Sequence, residues 1–443
     1  MKIQISDNFN YKKLIRVVLP SIFMMIVTSI YGVIDGLFVS NYVGKTPFAA
    51  INLIMPFLMI LGGMGFMIGT GGVALVSKVI GENDKEKANR YFTMLVIFAI
   101  ILGVVLTAIG LAVIRPISII LGASDEMLEY CVLYGRIVVC FSTFYILQNI
   151  FQSFLAAAEK PKLGLVVTLI AGCTNAVLDA LFIAVFKWGI VGAAIATGIG
   201  QILGGGIPLV YFAKKNTSLL KFVKTKLDVK PIIKACANGS SELLTTVSTS
   251  FVSMLYNFQL MKFFGENGVA AYGVLMYVQL IFLAIEIGYT IGSAPIVSYN
   301  YGAQRHKELK NIFRKSMIIL SLSGVVLSGL AQALATPLAK LFVGYDAELF
   351  ELTVKAFRMF SFSFIFSGIG IYSSGFFTAL NNGLISAILS FLRALIFQIT
   401  FVFLLPYIFG INGIWWAQFA TEISAFVVAI IFFIAYRKKY QYA

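Results

Sequence analysis

The sequence predicts an all-α polytopic membrane protein, with twelve transmembrane helices in two pseudosymmetric six-helix bundles around a central cleft. Three observations lead there. Of 443 residues, 59% are apolar and only 12% are charged, whereas soluble domains are about one quarter charged. The charges fall in short runs between apolar stretches of roughly 20 to 30 residues, each long enough to cross a ~30 Å hydrocarbon core as helix. Finally, the chain repeats itself about its midpoint.

Twelve spans fit, at 14–40, 47–79, 91–114, 130–157, 163–185, 189–212, 236–262, 269–297, 316–336, 353–380, 384–405 and 410–436. Transmembrane β-strands alternate and are far shorter, which excludes a barrel. The net charge of +15 would suggest nucleic acid in a soluble chain, but its placement points to a membrane surface. With the amino terminus inside, 25 Lys and Arg lie on the inner side and five on the outer: Lys45, Arg115, Lys187, Lys262 and Lys340. Such a bias puts both termini in the cytoplasm. Arg136, Lys355, Arg358 and Arg393 fall within spans or at their ends. Cys131, Cys140, Cys173 and Cys236 lie in or at spans without paired spacing, which supports neither a disulfide framework nor zinc. The amino end lacks a small-residue cleavage pattern and reads as an uncleaved first helix.

A shift of 221 residues brings Gly44 onto Gly265, Ala49 and Ala50 onto Ala270 and Ala271, and Met55 onto Met276. In the same register Ser77 meets Ser298, Gly81 meets Gly302, Pro116 meets Pro337 and Asp125 meets Asp346. Gly189, Ile190 and Gly192 meet Gly410, Ile411 and Gly413. The matches cluster at helix breaks along the whole chain, so the repeat unit is six spans. An even number of spans relates the halves by an axis along the bilayer normal. The expected domains are an amino-terminal lobe at 1–212, a lysine-rich cytoplasmic linker at 213–231 and a carboxy-terminal lobe at 232–443. Two bundles rocking about a midplane cavity form an alternating-access transporter.

Where the halves differ, the difference is not required by the shared scaffold. Asp35 in span 1 corresponds to Tyr256, Asn175 and Asp179 in span 5 to Ile396 and Thr400, and Thr197 in span 6 to Gln418. Asn175 and Asp179 are four apart and share a helix face. Asp179 and Thr197 flank the hairpin Lys187–Gly189 at similar depth, and Asp35 lies at a comparable depth in span 1, so all four converge roughly 10 Å beneath the outer surface. A carboxylate in hydrocarbon needs a proton, a cationic partner or a metal ion. Two acids with amide and hydroxyl oxygens suit a hard monovalent cation such as Na+, or a shared proton. The alternative for each acid is a hydrogen bond to a neighbouring helix with no transported ion. Pro20 removes a backbone hydrogen bond in span 1, giving either a moving bend or a static kink.

These residues resemble the multidrug and toxic compound extrusion (MATE) transporters, twelve-span antiporters that export drugs and metabolites in exchange for sodium or protons. The run Ile30-Tyr-Gly-Val-Ile-Asp35-Gly-Leu-Phe-Val-Ser40 is similar to the family's first-helix Asp motif. Ser77 to Gly81 and its echo Ser298-Tyr-Asn-Tyr-Gly302 are similar to its helix-ending repeats, and Asn175-x3-Asp179 followed by Thr197 is the more specific match. The resemblance implies that Asp35, Asn175, Asp179 and Thr197, with a backbone carbonyl at Ala193, bind the coupling cation, and that helix 1 bends at Pro20. In another branch of the family the coupling acids lie in the carboxyl half, and no obvious copy of that arrangement is present.

The carboxyl half does carry Glu242, Glu286 and Glu422, with Arg393 available to neutralise one of them. Glu286 and Glu422, with Tyr31 and Tyr256 among the aromatics, are candidates for a substrate cleft that accepts planar cations. The expected function is export of drugs or organic metabolites coupled to Na+ or H+, with no other cofactor, in a bacterial inner membrane. Its partners are a cationic or neutral amphipathic small molecule and the lipid bilayer, with no nucleic acid, and the expected state is a monomer. A lipid or lipid-linked sugar flippase of the same wider fold is the rival, though midspan acids outnumber midspan bases. A membrane-embedded enzyme is disfavoured: the single histidine, His306, lies in a basic loop, and no HExxH or Walker motif occurs.

Overall fold

The computed structural model describes residues 3–226 and 228–443. Met1, Lys2 and Leu227, within the expected lobe 1–212 and linker 213–231, and the side chain of Lys45 lie outside that description. The amino half contains α1 (Tyr11–Tyr42), α2 (Lys45–Gly81), α3 (Lys85–Ile120), α4 (Asp125–Cys140), α5 (Ser142–Ala157), α6 (Pro161–Asp179) and α7 (Gly189–Ala213). The carboxyl half contains α8 (Val229–Gly302), α9 (His306–Val343), α10 (Ala347–Ser361), α11 (Phe364–Ala379), α12 (Gly383–Phe391), α13 (Gln398–Phe409) and α14 (Ala417–Tyr440). In hydrocarbon the backbone has no solvent to bond, so helix is the form this apolar chain can take.

Among the described residues nine helices are long and apolar enough to cross a membrane, and two bent pairs raise the number to eleven. The twelfth comes from α8, whose 74 residues would measure ~110 Å if straight, several times the bilayer core. It doubles back at Gly265, with φ 60° and ψ −149°, a conformation open to glycine and strained for other residues. Gly44, the repeat equivalent, makes the matching turn between α1 and α2 with φ 121°. Gly189 and Gly410 pair likewise, at φ 58° and 72°.

Spans 4 and 10 differ from the straight rods that the hydropathy suggests. The axis bends by 57° between α4 and α5 and by 50° between α10 and α11. In each case a side chain from the preceding span enters the backbone ladder, which is a recognised cause of kinks. The Thr107 hydroxyl of α3 donates to the Val139 carbonyl at 3.3 Å and pairs with Ser142 Oγ at 2.8 Å. The Gln332 amide of α9 donates to the Arg358 carbonyl at 2.8 Å. Spans 5 and 11 each contain a π-helical turn, Ala180–Val185 and Leu392–Phe397.

The two halves meet through glycines on the side that carries the termini and the segment between α7 and α8. A Cβ on Gly71 would collide with the Ala235 carbonyl, and one on Gly239 with that of Met67. Further along, Gly81 faces the Tyr299 carbonyl and Gly302 that of Lys78. On the α1 side, a Cβ on Gly288 would stand 2.5 Å from Ile22 Cα and one on Gly292 3.0 Å from Val18 Cα. The amino-terminal residues cross this same end: Ile5 N donates to Glu159 in one half, and Phe9 N donates to Glu308 in the other at 2.7 Å.

Towards the opposite side the halves diverge and leave a central cleft. Gly32, one turn beyond Ser29 on α1, and Gly273 on α8 meet nothing within 4 Å. Asn257 is exposed although it lies five turns from Gly239 on the same helix face. At the outer loops Tyr345 is 83% exposed and Tyr407 89%, as befits aromatic residues at a lipid interface. Because backbone meets backbone at Gly71, Gly71→Ala should cost about 1–3 kcal/mol through overpacking. Gly273→Ala, which fills open space within a helix, should be neutral or gain up to about 1 kcal/mol. Thermal unfolding of the purified protein checks both.

Candidate functional site

Close helix packing brings the amino-half polar set together. On α7 the Cβ that Gly200 lacks would lie 3.3 Å from Asn175 Cβ of α6, and the one Gly192 lacks would lie 2.9 Å from Phe182 Cβ in the π-helical turn. Asp179 and Thr197 lie between these two contacts and therefore share a depth. Gly172 of α6 admits Tyr31 of α1, whose ring would stand 3.1 Å from a Cβ there. One turn beyond Tyr31 is Asp35, level with Asn175 and Asp179. The two carboxyls face each other at close range. Asp179 is the last residue before the π-helical turn, a local widening that often marks functional positions.

Asn175 and Asp179 are buried, and Asp35 and Thr197 are half-buried. Asp35 Oδ1, Asn175 Oδ1, both Asp179 oxygens, Thr197 Oγ1 and Gln201 Oε1 are buried without a hydrogen-bond partner among the described residues. Neither acid takes part in the ion pairs found among those residues. Ala193 is fully buried one turn before Thr197. The Tyr134 hydroxyl of α4 neighbours Thr197, Asp35 and Asp179. Oxygens from three helices thus converge with more acceptors than donors among the described residues, a state a natural protein seldom leaves uncompensated. Acceptors arranged in this way could hold a hard monovalent cation, or a proton shared by the carboxyls.

The carboxyl half handles its buried acids differently. Arg393, in the π-helical turn of span 11, grips Glu422 of α14 with two bonds: Nε to Oε2 at 2.8 Å and Nη2 to Oε1 at 2.7 Å. Gln418 donates to Glu422 at 3.0 Å and accepts from Gln398 at 2.7 Å. Glu286 of α8 is fully buried and accepts from Ser367 Oγ at 2.7 and 3.0 Å. Glu242 is half-buried. Tyr256 is buried, stacked on Tyr272 with centroids 4.8 Å apart, and lies with the carboxyl half rather than beside Tyr31. Pro20 is buried within a continuous α1, next to the residues that meet Gly288 and Gly292.

A family model described as MatE matches this chain twice, over residues 20–181 and 243–404. The chain belongs to the MatE family. MatE proteins are membrane transporters and not enzymes, and the two matched blocks reproduce the internal repeat. The chain is similar to the multidrug export protein MepA of Staphylococcus haemolyticus, at 24% identity over 426 residues covering 95% of this chain and 93% of that one. It is equally similar to MepA of Staphylococcus aureus strain MSSA476, at 24% over 422 residues with the same coverages. A solved outward-facing conformation of a multidrug resistance MATE family transporter of the MOP superfamily superposes with TM-score 0.92 at 22% identity over 98% of both chains. A crystal structure of MATE in complex with MaL6 superposes with TM-score 0.90 at 22% identity, over 97% of this chain and 98% of that one. The superpositions establish the MATE fold, a twelve-helix architecture built from two repeats.

Two residues of the cluster, Tyr134 and Gln201, stand outside the set expected from the sequence. Tyr134 is one aromatic among many until α4 packs against α7. Gln201 was accessible, because it stands one turn from Thr197 in an otherwise apolar, glycine-rich span. The contrast between the halves yields a stability prediction. Arg393→Met leaves Glu422 buried without its counter-charge and should cost about 3–5 kcal/mol, while the double change Arg393→Met with Glu422→Gln should recover most of that loss. Melting temperatures of the two variants check the coupling.

Proposed function

We propose that this MatE protein is a cation-coupled antiporter that exports drugs or organic metabolites by alternating access, with sodium or protons as the coupling ion. The observation that carries this reading is the convergence of six unpartnered oxygens, three of them from two opposed carboxyl groups, in one half of a duplicated scaffold. Asp35 and Asp179 supply the charge, Asn175 and Thr197 neutral oxygens, and Ala193 a carbonyl on the adjoining turn of α7. A coupling ion works only if its affinity differs between the two states of the transporter. Acceptors that lack donors in the present arrangement are suited to that role, because an ion binding here replaces no existing bond.

The lobes 1–212 and 232–443 would rock about segment 213–231, and Pro20 would let α1 change its angle. The present arrangement, joined on the terminus side and open on the other, corresponds to an outward-facing state when the termini are cytoplasmic, as the 25-to-5 distribution of Lys and Arg supports. The relatives named multidrug export protein support a drug-like cargo, and their bacterial source fits a bacterial plasma membrane. Buried acids outnumber the single buried arginine, Arg393, which favours a cationic or neutral amphipathic cargo. Glu286 and the edge of the Glu422 pair, with Tyr31 and Tyr256, are the residues proposed to meet it, and the working unit is proposed to be a monomer.

The test is transport in proteoliposomes with sodium and proton gradients imposed separately. Asp35→Asn and Asp179→Asn should each slow gradient-driven export of an organic cation by about tenfold or more. Export at the full wild-type rate in both variants would show that the site assignment is wrong. The gradient that drives the wild type identifies the ion, and movement of lipid-linked sugar alone would favour the flippase.

A further inference from the structure

The proposed ion site accounts for Asp35, Asn175, Asp179 and Thr197, but the buried polarity of the amino half continues beyond it towards the terminus side. One turn inward from each of these residues, the neighbouring helices repeat the pattern. On α1 Tyr31 follows Asp35, on α7 Gln201 follows Thr197, and the Tyr31 hydroxyl reaches Gln148 of α5. Gln148 is buried and lies over Gly204 of α7, where a Cβ would stand 2.9 Å from its Oε1. Four residues later on the same face of α5 comes Gln152, about 6 Å closer to the terminus side.

Gln152 is only 4% exposed, yet neither its amide nitrogen nor its oxygen has a hydrogen-bond partner among the described residues. Beside it Ser153 Oγ, and further along α2 Ser77 Oγ, are also buried and unpartnered. Ser153 packs against Gly69, eight residues before Ser77, which puts Ser77 about 12 Å nearer the closed end of α2. A buried amide with all its bonds unmade costs stability. Ordered water or a passing ion is the usual explanation for such a group.

The carboxyl half treats the equivalent positions differently. α5 and α11 have the same length and the same place after a bend, so Gln148 corresponds to Gly370 and Gln152 to Ser374. Ser374 is satisfied, with partners Ser386 Oγ at 2.9 Å and Ser390 Oγ at 2.7 Å. The carboxyl half has buried unpartnered atoms of its own, the Tyr372 hydroxyl on α11 among them, but at the position equivalent to Gln152 the side chain is partnered.

We propose that Gln148, Gln152, Ser153 and Ser77 line a hydrated relay through which the coupling cation leaves the Asp35–Asp179 site for the terminus-side surface, with Gln152 as its intermediate binding station. The ligand is water together with the same monovalent cation or proton, so the inference rests on the antiport reading. Gln152 takes its place between two solvated ends: its oxygen accepts from water or contacts a cation, and its nitrogen donates to water.

The test uses the full chain. Gln152→Leu keeps the volume and removes both polar atoms, whereas Gln152→Ser keeps a hydroxyl and leaves room for water. Three quantities are measured: the sodium and pH midpoints of intrinsic fluorescence in detergent, gradient-driven turnover of an organic cation in proteoliposomes, and the melting temperature. Gln152→Leu should leave the ion midpoint and the cargo KM unchanged and slow turnover about tenfold, the effect of ~1.4 kcal/mol on the limiting barrier. Its melting temperature should be equal or higher, because an unpartnered amide has been removed, and Gln152→Ser should restore most of the turnover. Wild-type turnover in Gln152→Leu overturns the relay, as does a change confined to the cargo KM or an ion midpoint lost together with turnover. The antiport reading fails separately, if Asp35→Asn and Asp179→Asn keep wild-type ion midpoints and coupled export.

Discussion

Hydrocarbon offers no hydrogen bonds and no counter-ions, and this constraint shapes the molecule at every level. It forces the backbone into helices, each of which satisfies its own amides. It also makes every buried side-chain oxygen a cost until something meets it. In the carboxyl half the answer is internal: Arg393, Gln418 and Gln398 surround Glu422, and Ser367 caps Glu286. In the amino half Asp35 and Asp179 oppose each other across α1 and α6 without any such partner. One scaffold used twice has reached two solutions, and only in the first do the described residues supply the partners of the buried carboxyl groups.

Duplication also sets how the halves touch. Glycines recur on both sides of their contact, Gly71 with Gly239 and Gly81 with Gly302, so that backbones approach without side chains between them. Small-residue contacts are the means by which membrane helices associate, since lipid is as apolar as leucine and gives no hydrophobic drive. Such a surface can separate without exposing a large apolar face to water. The close fit on one side and the open space around Gly32 and Gly273 on the other follow from two rigid bundles meeting at an angle.

Much of this was legible in the sequence, for identifiable reasons. Span number followed from hydropathy, because a bilayer fixes the length of an apolar helix. The repeat was visible because turns such as Gly44 and Gly265 need positive φ, which holds glycine at equivalent positions. The i, i+4 spacing of Asn175 and Asp179 placed both on one face, and hairpin arithmetic set Thr197 beside them. What the sequence did not carry was anything that depends on a neighbouring helix. The bends at Phe141 and Phe362 arise from Thr107 and Gln332 in other spans, and the π-helical turns beside Asp179 and around Arg393 have no local signature. Tyr134 joins the cluster through the packing of α4 against α7. The Arg393–Glu422 pair was foreseeable as a possibility, but which of Glu242, Glu286 and Glu422 receives the guanidinium depends on packing.

The position of the unpaired carboxyls raises a mechanical question that the architecture itself answers. Asp179, Asn175 and Thr197 belong to α6 and α7, helices of the amino half that stand away from the contact between halves, so an ion bound to them alone would have no route to that contact. Asp35 is different because α1 takes part in both. Near one end, Val18 and Ile22 meet Gly292 and Gly288 of the other half, and Ser29 reaches the Leu280 carbonyl at 3.4 Å. Two turns beyond Ser29 the same helix presents Asp35 to Asp179. On the proposed antiport reading, an ion that drew these carboxyls together would pull on a rod whose other end is wedged between the halves, and Pro20, next to the wedge and lacking an amide donor, is where that rod would resist bending least. A small displacement at the carboxyls is sufficient to disturb the wedge, because packed interfaces exchange between discrete arrangements and do not deform continuously.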